Sequence, residues 1–529
     1  MSEVALHLKA NFSHDGTLIP ANKYEGKGEP FVAIPPISDK ISSINSSLPH
    51  FQVEWRGEPN ANYTLVLTIE NAENEPIEIF RVFSNESPGL FHHEGKPLSI
   101  AASDVGSIDF GVACRTFAHH GLPGKAPWDG NFSITVALKA GGDTEVATET
   151  AHFRVAPFLL ASAIDAVEEV LVVHTPLTLK FIEKLKQLIP QMGAKLRPVE
   201  FDDGNASDVW MQDTVEIGKV CHPTPRSAEQ RIAILGGLRA DHEDLKTEML
   251  DQNVKELFQK RGSLVACSPK QRQNTRWMDW YGNLEVSPPV KAKKGKVYPF
   301  GRVLVGVQNG TTMHPEIIAF LEAQGMQTPA LEIDTSWLTI GHVDEVINFV
   351  PSKDRKQFRI LFPSPSLATC LLQQALLHGH KKTMVFPGKA DEISIGELYE
   401  QIACSEESQK IHQALQETRQ KIKEGLGVGE ADFVELPALF SKGLALIPNP
   451  INGLFCNGHY IVPDPCGPQI EGKDIFAENI RESLVKLGVQ VHFIDIWEPY
   501  HKRAGEIHCG TNTVRRLRRT NWWNRLDQI

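Results

Sequence analysis

Close cysteine pairs are absent from this chain. Cys114, Cys221, Cys267, Cys370, Cys404, Cys456, Cys466 and Cys509 are scattered, with neither metal-type spacing nor the density of a disulfide scaffold, so reduced thiols and a cytoplasmic setting are expected. Also missing is any uninterrupted apolar stretch long enough to span a membrane. The opening Met1-Ser2-Glu3-Val4 lacks the basic-then-apolar order of a secretory signal. There is no basic surplus either: 54 Lys and Arg against 65 Asp and Glu leave a net charge of −11, which argues against general attraction to nucleic acid and for attraction to basic partners. What is present is a soluble globular composition, 41% hydrophobic and 22% charged, over 529 residues. That length is too great for one ordinary core, so two or three domains are expected.

Up to about residue 157, β-rich runs alternate with turn clusters, as in Tyr63–Ile69 and Asn131–Leu138, with little helical periodicity. This favours a β-sandwich over residues 51–157. Residues 1–50, with Gly26-Lys27-Gly28 and Pro35-Pro36, read as a leader, part extended strand that closes the sandwich and part flexible.

Beyond Pro157 the pattern changes to repeated helix, glycine, strand units. Leu179, Ile182, Leu185 and Ile189 follow helical spacing before Gly193, and a strand through Leu196 and Val199 leads to Asp213. Ile317, Ile318 and Leu321 with Gly325 repeat this and lead to His342. Ile480, Leu484 and Leu487 with Gly488 do so again and lead to Cys509. Helices near residues 366–379 and 407–424 are candidates for the remaining units, the second equally readable as an inserted surface helix. The periodicity suggests modules about a common axis but does not separate that arrangement from a doubly wound sheet.

Three segments carry chemistry: Trp210-Met211-Gln212-Asp213, Gly341-His342-Val343-Asp344-Glu345 and Gly505-Glu506-Ile507-His508-Cys509-Gly510-Thr511-Asn512. The last sets one thiol among small and polar residues, and the others add two carboxylates and an imidazole. A guanidinium is planar, delocalised and always protonated, so its carbon is a poor electrophile. Two carboxylates gripping its nitrogens would hold and focus the charge. Cys509 would attack the carbon, ammonia would leave, and water would hydrolyse the thiouronium, with His342 protonating the amine and then activating the water. The His-x-Asp spacing puts His342 and Asp344 on one side of an extended segment, and His508 would point elsewhere. Two carboxylates beside a thiol disfavour the thiolate until a cation arrives.

These strings, with Phe153-Arg154-Val155-Ala156-Pro157, Tyr281-Gly282-Asn283-Leu284-Glu285-Val286-Ser287-Pro288-Pro289 and Trp522-Trp523-Asn524, closely resemble the protein-arginine deiminases, from roughly Asn62 onward. The resemblance implies an α+β multidomain chain, an immunoglobulin-like β-sandwich followed by a five-bladed α/β-propeller over residues 158–529. It also implies hydrolysis of peptidyl-arginine to peptidyl-citrulline. Asp213 and Asp344 align with the family's guanidinium-binding pair, and Trp210 is expected to wall the aliphatic stem of the arginine. Arg503 matches a channel position and Arg226 one of two arginines that hold the peptide backbone; Ala228 stands at the second. Gln212, Glu216 and Glu285, with the carbonyls of Tyr281 and Leu284, reproduce one oxygen-ligand set for calcium. A second site is not expected, because Thr214, Pro223, Thr224 and Ser227 replace its ligands. The partners implied are arginine-containing proteins or peptides and a second copy in a homodimer, with no nucleic acid and no membrane. Arg515-Arg516-Leu517-Arg518-Arg519 is read as packing and salt-bridging residues. The competing readings are a hydrolase of free arginine or another small guanidino compound, and a non-catalytic peptide-binding protein.

Overall fold

A computed structural model describes residues 4–12, 18–20, 32–34, 50–59, 61–71, 75, 77–81, 89–91, 97–121, 126–201, 208–223, 228–237, 239, 247–270, 272, 277–353, 357–402 and 405–525. The chain is a mixed α and β, multidomain protein. Its first part is two sheets. One has six strands, ordered Leu18–Pro20, Ala5–Phe12, His50–Arg56, Val105–Cys114, Ile77–Arg81, Gly89–Phe91; the other has five, ordered Val32–Ile34, Thr144–Val155, Asn131–Ala140, Tyr63–Glu70, Leu98–Ala102. The period-2 pattern that predicts these strands is the burial pattern observed: along Tyr63–Glu70 alternate side chains point into the core. Leu8, Phe51, Leu65, Phe110, Ile134 and Phe153 from the two sheets share that core. The described strands of residues 1–50 are members of these sheets; Ala5–Phe12 pairs with His50–Arg56.

The second part repeats one build five times. In each unit two antiparallel strands are followed by helix and then a strand parallel to the second. Leu284–Val286, Val303–Val307, helix Pro315–Gln324 and Leu331–Asp334 form the plainest example. Pro315 starts the helix, His314 caps it by accepting from Glu316 N, and Gly325 ends it at φ 72°. The other units are centred on strand pairs Glu216–Pro223 with Ala228–Leu235, Asn348–Pro351 with Phe358–Ser364, and Leu454–Cys456 with His459–Pro463. The fifth is assembled from both ends of this part: Thr511–Arg516 lies antiparallel to Ala166–His174, which is parallel to Lys195–Glu200.

The helices expected from Leu179, Ile317 and Ile480 are present as Leu179–Leu188, Pro315–Gln324 and Ile475–Val485. The unit of Asn348–Pro351 and Phe358–Ser364 uses Pro365–Leu377, which starts one residue before the expected 366–379 and ends inside it. The remaining unit does not use 407–424. Its helix is Thr247–Lys260, which joins Ala228–Leu235 to Leu264–Cys267 and buries Leu250, Val254 and Phe258 in a core shared with Ile217 and Ile234. The expected 407–424 helix exists as Glu406–Leu426 and packs Ile411, Leu415 and Ile422 onto a core shared with Leu331. No helix among the described residues is long and apolar enough to cross a membrane. In the arginine run Arg515 is buried and donates to the carbonyls of Ala163, Asp165 and Phe455, while the exposed Arg518 donates to that of Ile164 and the exposed Arg516 pairs with Glu168 at 3.0 Å.

Candidate active site

Each unit sends a turn inward just before its first strand. Gln212–Thr214 precedes Glu216–Pro223, Tyr281–Asn283 precedes Leu284–Val286, and Val343–Glu345 precedes Asn348–Pro351, all three as single 3-10 turns. Asn449 to Gly453 precedes Leu454–Cys456, and His508-Cys509 precedes Thr511–Arg516. The turns interlock. Gln212 N donates to Cys509 O at 3.1 Å, Gly282 N to Asp213 Oδ1 at 2.9 Å, and Cys509 N to Asn452 Oδ1 at 3.2 Å.

The four side chains singled out in the sequence meet there. Cys509 Sγ lies 3.6 Å from Asp344 Oδ2, and His342 Nδ1 lies 3.9 Å from Asp213 Oδ1. All four are buried, with exposures from 1% to 7%. Asp344 Oδ1 is buried with no hydrogen-bond partner, the state of a carboxylate built to receive a donor that arrives with a ligand. His342 Nε2 is 2.8 Å from the Trp277 carbonyl. A carbonyl only accepts, so Nε2 donates to it, and Nδ1 is the ring nitrogen that faces Asp213.

The electrostatics follow from burial among like charges. Burial, then Asp344 and Asp213, push the Cys509 thiol well above its ordinary range. Burial raises Asp213 as well, against the pull of His342 and Arg239. Arg239 is itself buried and clamped by Asp208 at 3.0 Å and Asp251 at 2.7 Å, holding positive charge behind Asp213. Burial and Asp344 push Glu345 up.

His508 does not point away as the spacing suggests. Its Nδ1 is 2.8 Å from Asp344 Oδ2 and its Nε2 3.2 Å from Glu285 Oε1. The turn that ends at Cys509 swings the preceding side chain to the same carboxylate, because the backbone there is not extended. Burial alone would lower this imidazole, but Glu285 and the bond to Asp344 outweigh it and raise it. Asn452, also not read from sequence, donates to Asp344 O at 3.3 Å as well as receiving Cys509 N. The signal that could have found it is the repeat itself: a polar turn, Asn449-Pro450-Ile451-Asn452-Gly453, in the register of the other four.

Trp210 is buried beside the nucleophile, its ring centroid 5.9 Å from that of Tyr500. Gly505 is required by it, since a Cβ there would meet the Trp210 ring at 2.4 Å. Arg503 lies in the short turn His501–Arg503, half-buried, outside the set that lines the cavity above Cys509. That cavity, of about 660 Å³, is lined by Cys509, Glu506, Asn452, Glu345, Trp497 and Leu446 among others, a volume that accepts a side chain with part of its peptide. Arg226 lies outside the described residues, as do Thr224 and Ser227; Ala228 N–H is in the strand Ala228–Leu235.

Of the expected cation ligands, Gln212, Glu216, Leu284 and Glu285 line one small polar cavity with His508 and Arg515. Burial and Glu285 push Glu216 well above the carboxylate range, and burial raises Glu285. Tyr281 does not line it; its carbonyl accepts Leu284 N–H and its hydroxyl donates to Gly236 O at 2.6 Å. Two half-buried carboxylates, the first raised by the second, with an amide beside them, suit a hard cation. Among the described residues no three His, Cys, Asp or Glu side chains group as a metal site, so the set leans on the Gln212 amide and main-chain carbonyls. Thr214, at a replaced position, donates its hydroxyl to Met211 O at 2.8 Å.

A family model for protein-arginine deiminase matches residues 145–524. The Mus musculus protein-arginine deiminase type-3 is 32% identical over 441 residues, covering 78% of this chain and 62% of that protein. The Homo sapiens type-4 enzyme is 30% identical over 493 residues, covering 88% and 70%. The chain thus spans under two thirds of the length of the type-3 relative. A solved C. jejuni agmatine deiminase, 13% identical, overlies 69% of this chain and 99% of its own with a TM-score of 0.40, too loose to bear on the fold. The matched family segment contains all five of these turns, and the chain belongs to the protein-arginine deiminase family.

Proposed function

We propose that this protein hydrolyses peptidyl-arginine to peptidyl-citrulline and ammonia. The observation that carries the reading is the meeting of Cys509, His342, Asp213 and Asp344, from three distant segments, with Cys509 opening onto a cavity. Asp344, with one oxygen unpartnered, and Asp213 grip the guanidinium through charge-assisted hydrogen bonds. The cation offsets the carboxylates that hold the thiol protonated, so the thiolate forms where it is used. Sulfur bonds to the guanidinium carbon as its proton passes to His342, His342 delivers that proton to the departing nitrogen, and the carbon–nitrogen bond breaks to release ammonia and leave a thiouronium. His342 then takes a proton from water, oxygen bonds to the same carbon, and the carbon–sulfur bond breaks to return Cys509 and leave citrulline. Trp210 walls the slot, Arg503 would line the channel, and Arg226 would hold the peptide backbone.

We also read the first two sheets as an immunoglobulin-like domain ending near residue 157 and the five units as a five-bladed propeller. The pairing of Thr511–Arg516 with Ala166–His174, which joins the ends of the second part, supports a closed ring. Gln212, Glu216 and Glu285 with nearby carbonyls would hold one calcium ion, which would supply positive charge beside His508 and Asp344. The seven free cysteines among the described residues agree with a cytoplasmic setting. The test is citrulline formation from a capped arginine peptide and from free arginine, with calcium and with chelator, beside Cys509→Ser. Peptide turnover lost in the variant supports the proposal. Turnover of free arginine alone supports the small-molecule hydrolase, and no turnover of either supports a peptide binder.

A further inference from the structure

The cavity above Cys509 holds more negative charge than one guanidinium answers. Asp213 and Asp344 account for that cation. The cavity itself is lined by Glu345 and by buried Glu506, and by the exposed Asp391, Glu392 and Glu397. The opposing groups are few. Lys502 is spent on Asp391 at 2.7 Å, Lys389 on Asp495 at 2.6 Å, and His501 Nδ1 lies 2.9 Å from Glu506 Oε1. Glu392 accepts from Gly388 N, and Glu397 from the amide and hydroxyl of Ser394; neither meets a cationic side chain among the described residues.

Glu506 is the telling member. It is 4% exposed, its Oε1 accepts from Asn449 N at 3.1 Å, and its Oε2 is buried with no hydrogen-bond partner. A buried carboxylate oxygen left bare is costly unless something else supplies the donor. Glu506 sits three residues before Cys509 in the same turn, whose Gly510 N donates to Glu506 O at 3.1 Å, so a donor placed there stands next to the arginine that Cys509 attacks.

We propose that Glu506 is a second cation-recognition group, and that the preferred substrate is a basic peptide, with lysine or arginine adjoining the target arginine. Glu392 and Glu397 attract that charge at the mouth. This rests on reading the cavity as the deiminating site. The α-ammonium of free or N-terminal arginine has the same chemistry, but a single amino acid would leave the outer carboxylates unanswered, and their outward spread favours a longer cationic chain.

The experiment compares capped peptides of equal length with lysine, glutamine or glutamate beside the arginine, together with free arginine and a peptide that begins with arginine. kcat/KM is read for the full chain, and Kd is read on Cys509→Ala by calorimetry. The lysine peptide is expected to lead the glutamine peptide about tenfold, with glutamate last. The lead should shrink in Glu392→Gln/Glu397→Gln and as salt rises from about 0.05 to about 0.5 M, and should vanish in Glu506→Gln. Equal values for the lysine and glutamine peptides in the unsubstituted chain overturn the proposal. So does a preference for the α-ammonium substrates. Should turnover fail while the order in Kd persists, the deimination reading falls and this one stands. The salt series on the unsubstituted chain keeps the test decisive even where a variant folds poorly.

Discussion

At the scale of single residues, His508 and Cys509 are sequence neighbours that converge on one oxygen, Asp344 Oδ2, at 2.8 Å and 3.6 Å. The imidazole is the donor that keeps a buried carboxylate in place while its other oxygen waits for substrate. Replacing His508 by alanine strips Asp344 of that donor, and truncating one partner of a buried charge pair costs about 2–5 kcal/mol. kcat/KM for an arginine peptide should therefore drop by roughly 30-fold or more, with folding checked by circular dichroism; an unchanged kcat/KM would make His508 a bystander. The thiol offers a pH test with a definite sign. The thiolate is the charged form, and burial with Asp344 and Asp213 disfavours it, so the thiol titrates well above its usual range. Alkylation of Cys509 should need alkaline solution in the empty enzyme. A bound guanidine ligand brings a cation to the same carboxylates and should move the profile to lower pH, whereas coincident profiles would show that substrate does not assist ionisation. Cys509, His342, Asp213 and Asp344 were legible because each sits in a short string with its own chemistry. His508 was misread and Asn452 and Glu506 passed over because their meaning depends on a partner 57 to 164 positions away in the chain, which spacing does not reveal.

At the scale of elements, the inward turns act as one device, and Gly282 shows how tightly they fit. A Cβ on Gly282 would stand 2.5 Å from His342 Nδ1 and 3.1 Å from Asp213 Oδ1. Gly282→Ala must push the imidazole or the carboxylate aside, and displacement of a reacting group by about 1 Å costs on the order of 100-fold in rate. The variant should keep its secondary structure and melting temperature while kcat falls; full activity would mean that the turns are not in mutual register. The unit repeat was visible in the sequence where a helix carries a broad apolar face and ends in glycine, as at Ile317 to Gly325. It was hidden at Thr247–Lys260, where the buried row is only Leu250, Val254 and Phe258 with threonine and Asp251 beside them. Glu406–Leu426 drew attention instead because its 21 residues carry a longer row, although it packs across units rather than inside one.

At the scale of the molecule, both ends of the second part are tied together, and the tie reaches the first part. The strand Thr511–Arg516 was concealed in the sequence by its threonines and arginines; Arg515 is met by carbonyls, and Arg516 by Glu168, that only the fold brings near. Past it, Trp522 is fully buried, donates Nε1–H to Cys221 O at 2.8 Å, and has the guanidinium of Arg154, from the strand Thr144–Val155, 5.7 Å above its ring. It shares a core with Phe117, Ala156 and Phe158 from the junction between the two parts. Trp522→Ala removes that filling and leaves the Cys221 carbonyl without its donor, so a loss of about 3–5 kcal/mol is expected. Because the same ring touches both parts, the loss should also uncouple them. Calorimetry of the parent should give one cooperative transition and that of the variant two, the earlier one carrying the loss of Cys509 protection against alkylation. Trp522→Phe keeps most of the packing and should stay close to the parent. A Trp522→Ala variant that melts in one step within about 1 kcal/mol of the parent would place the junction elsewhere.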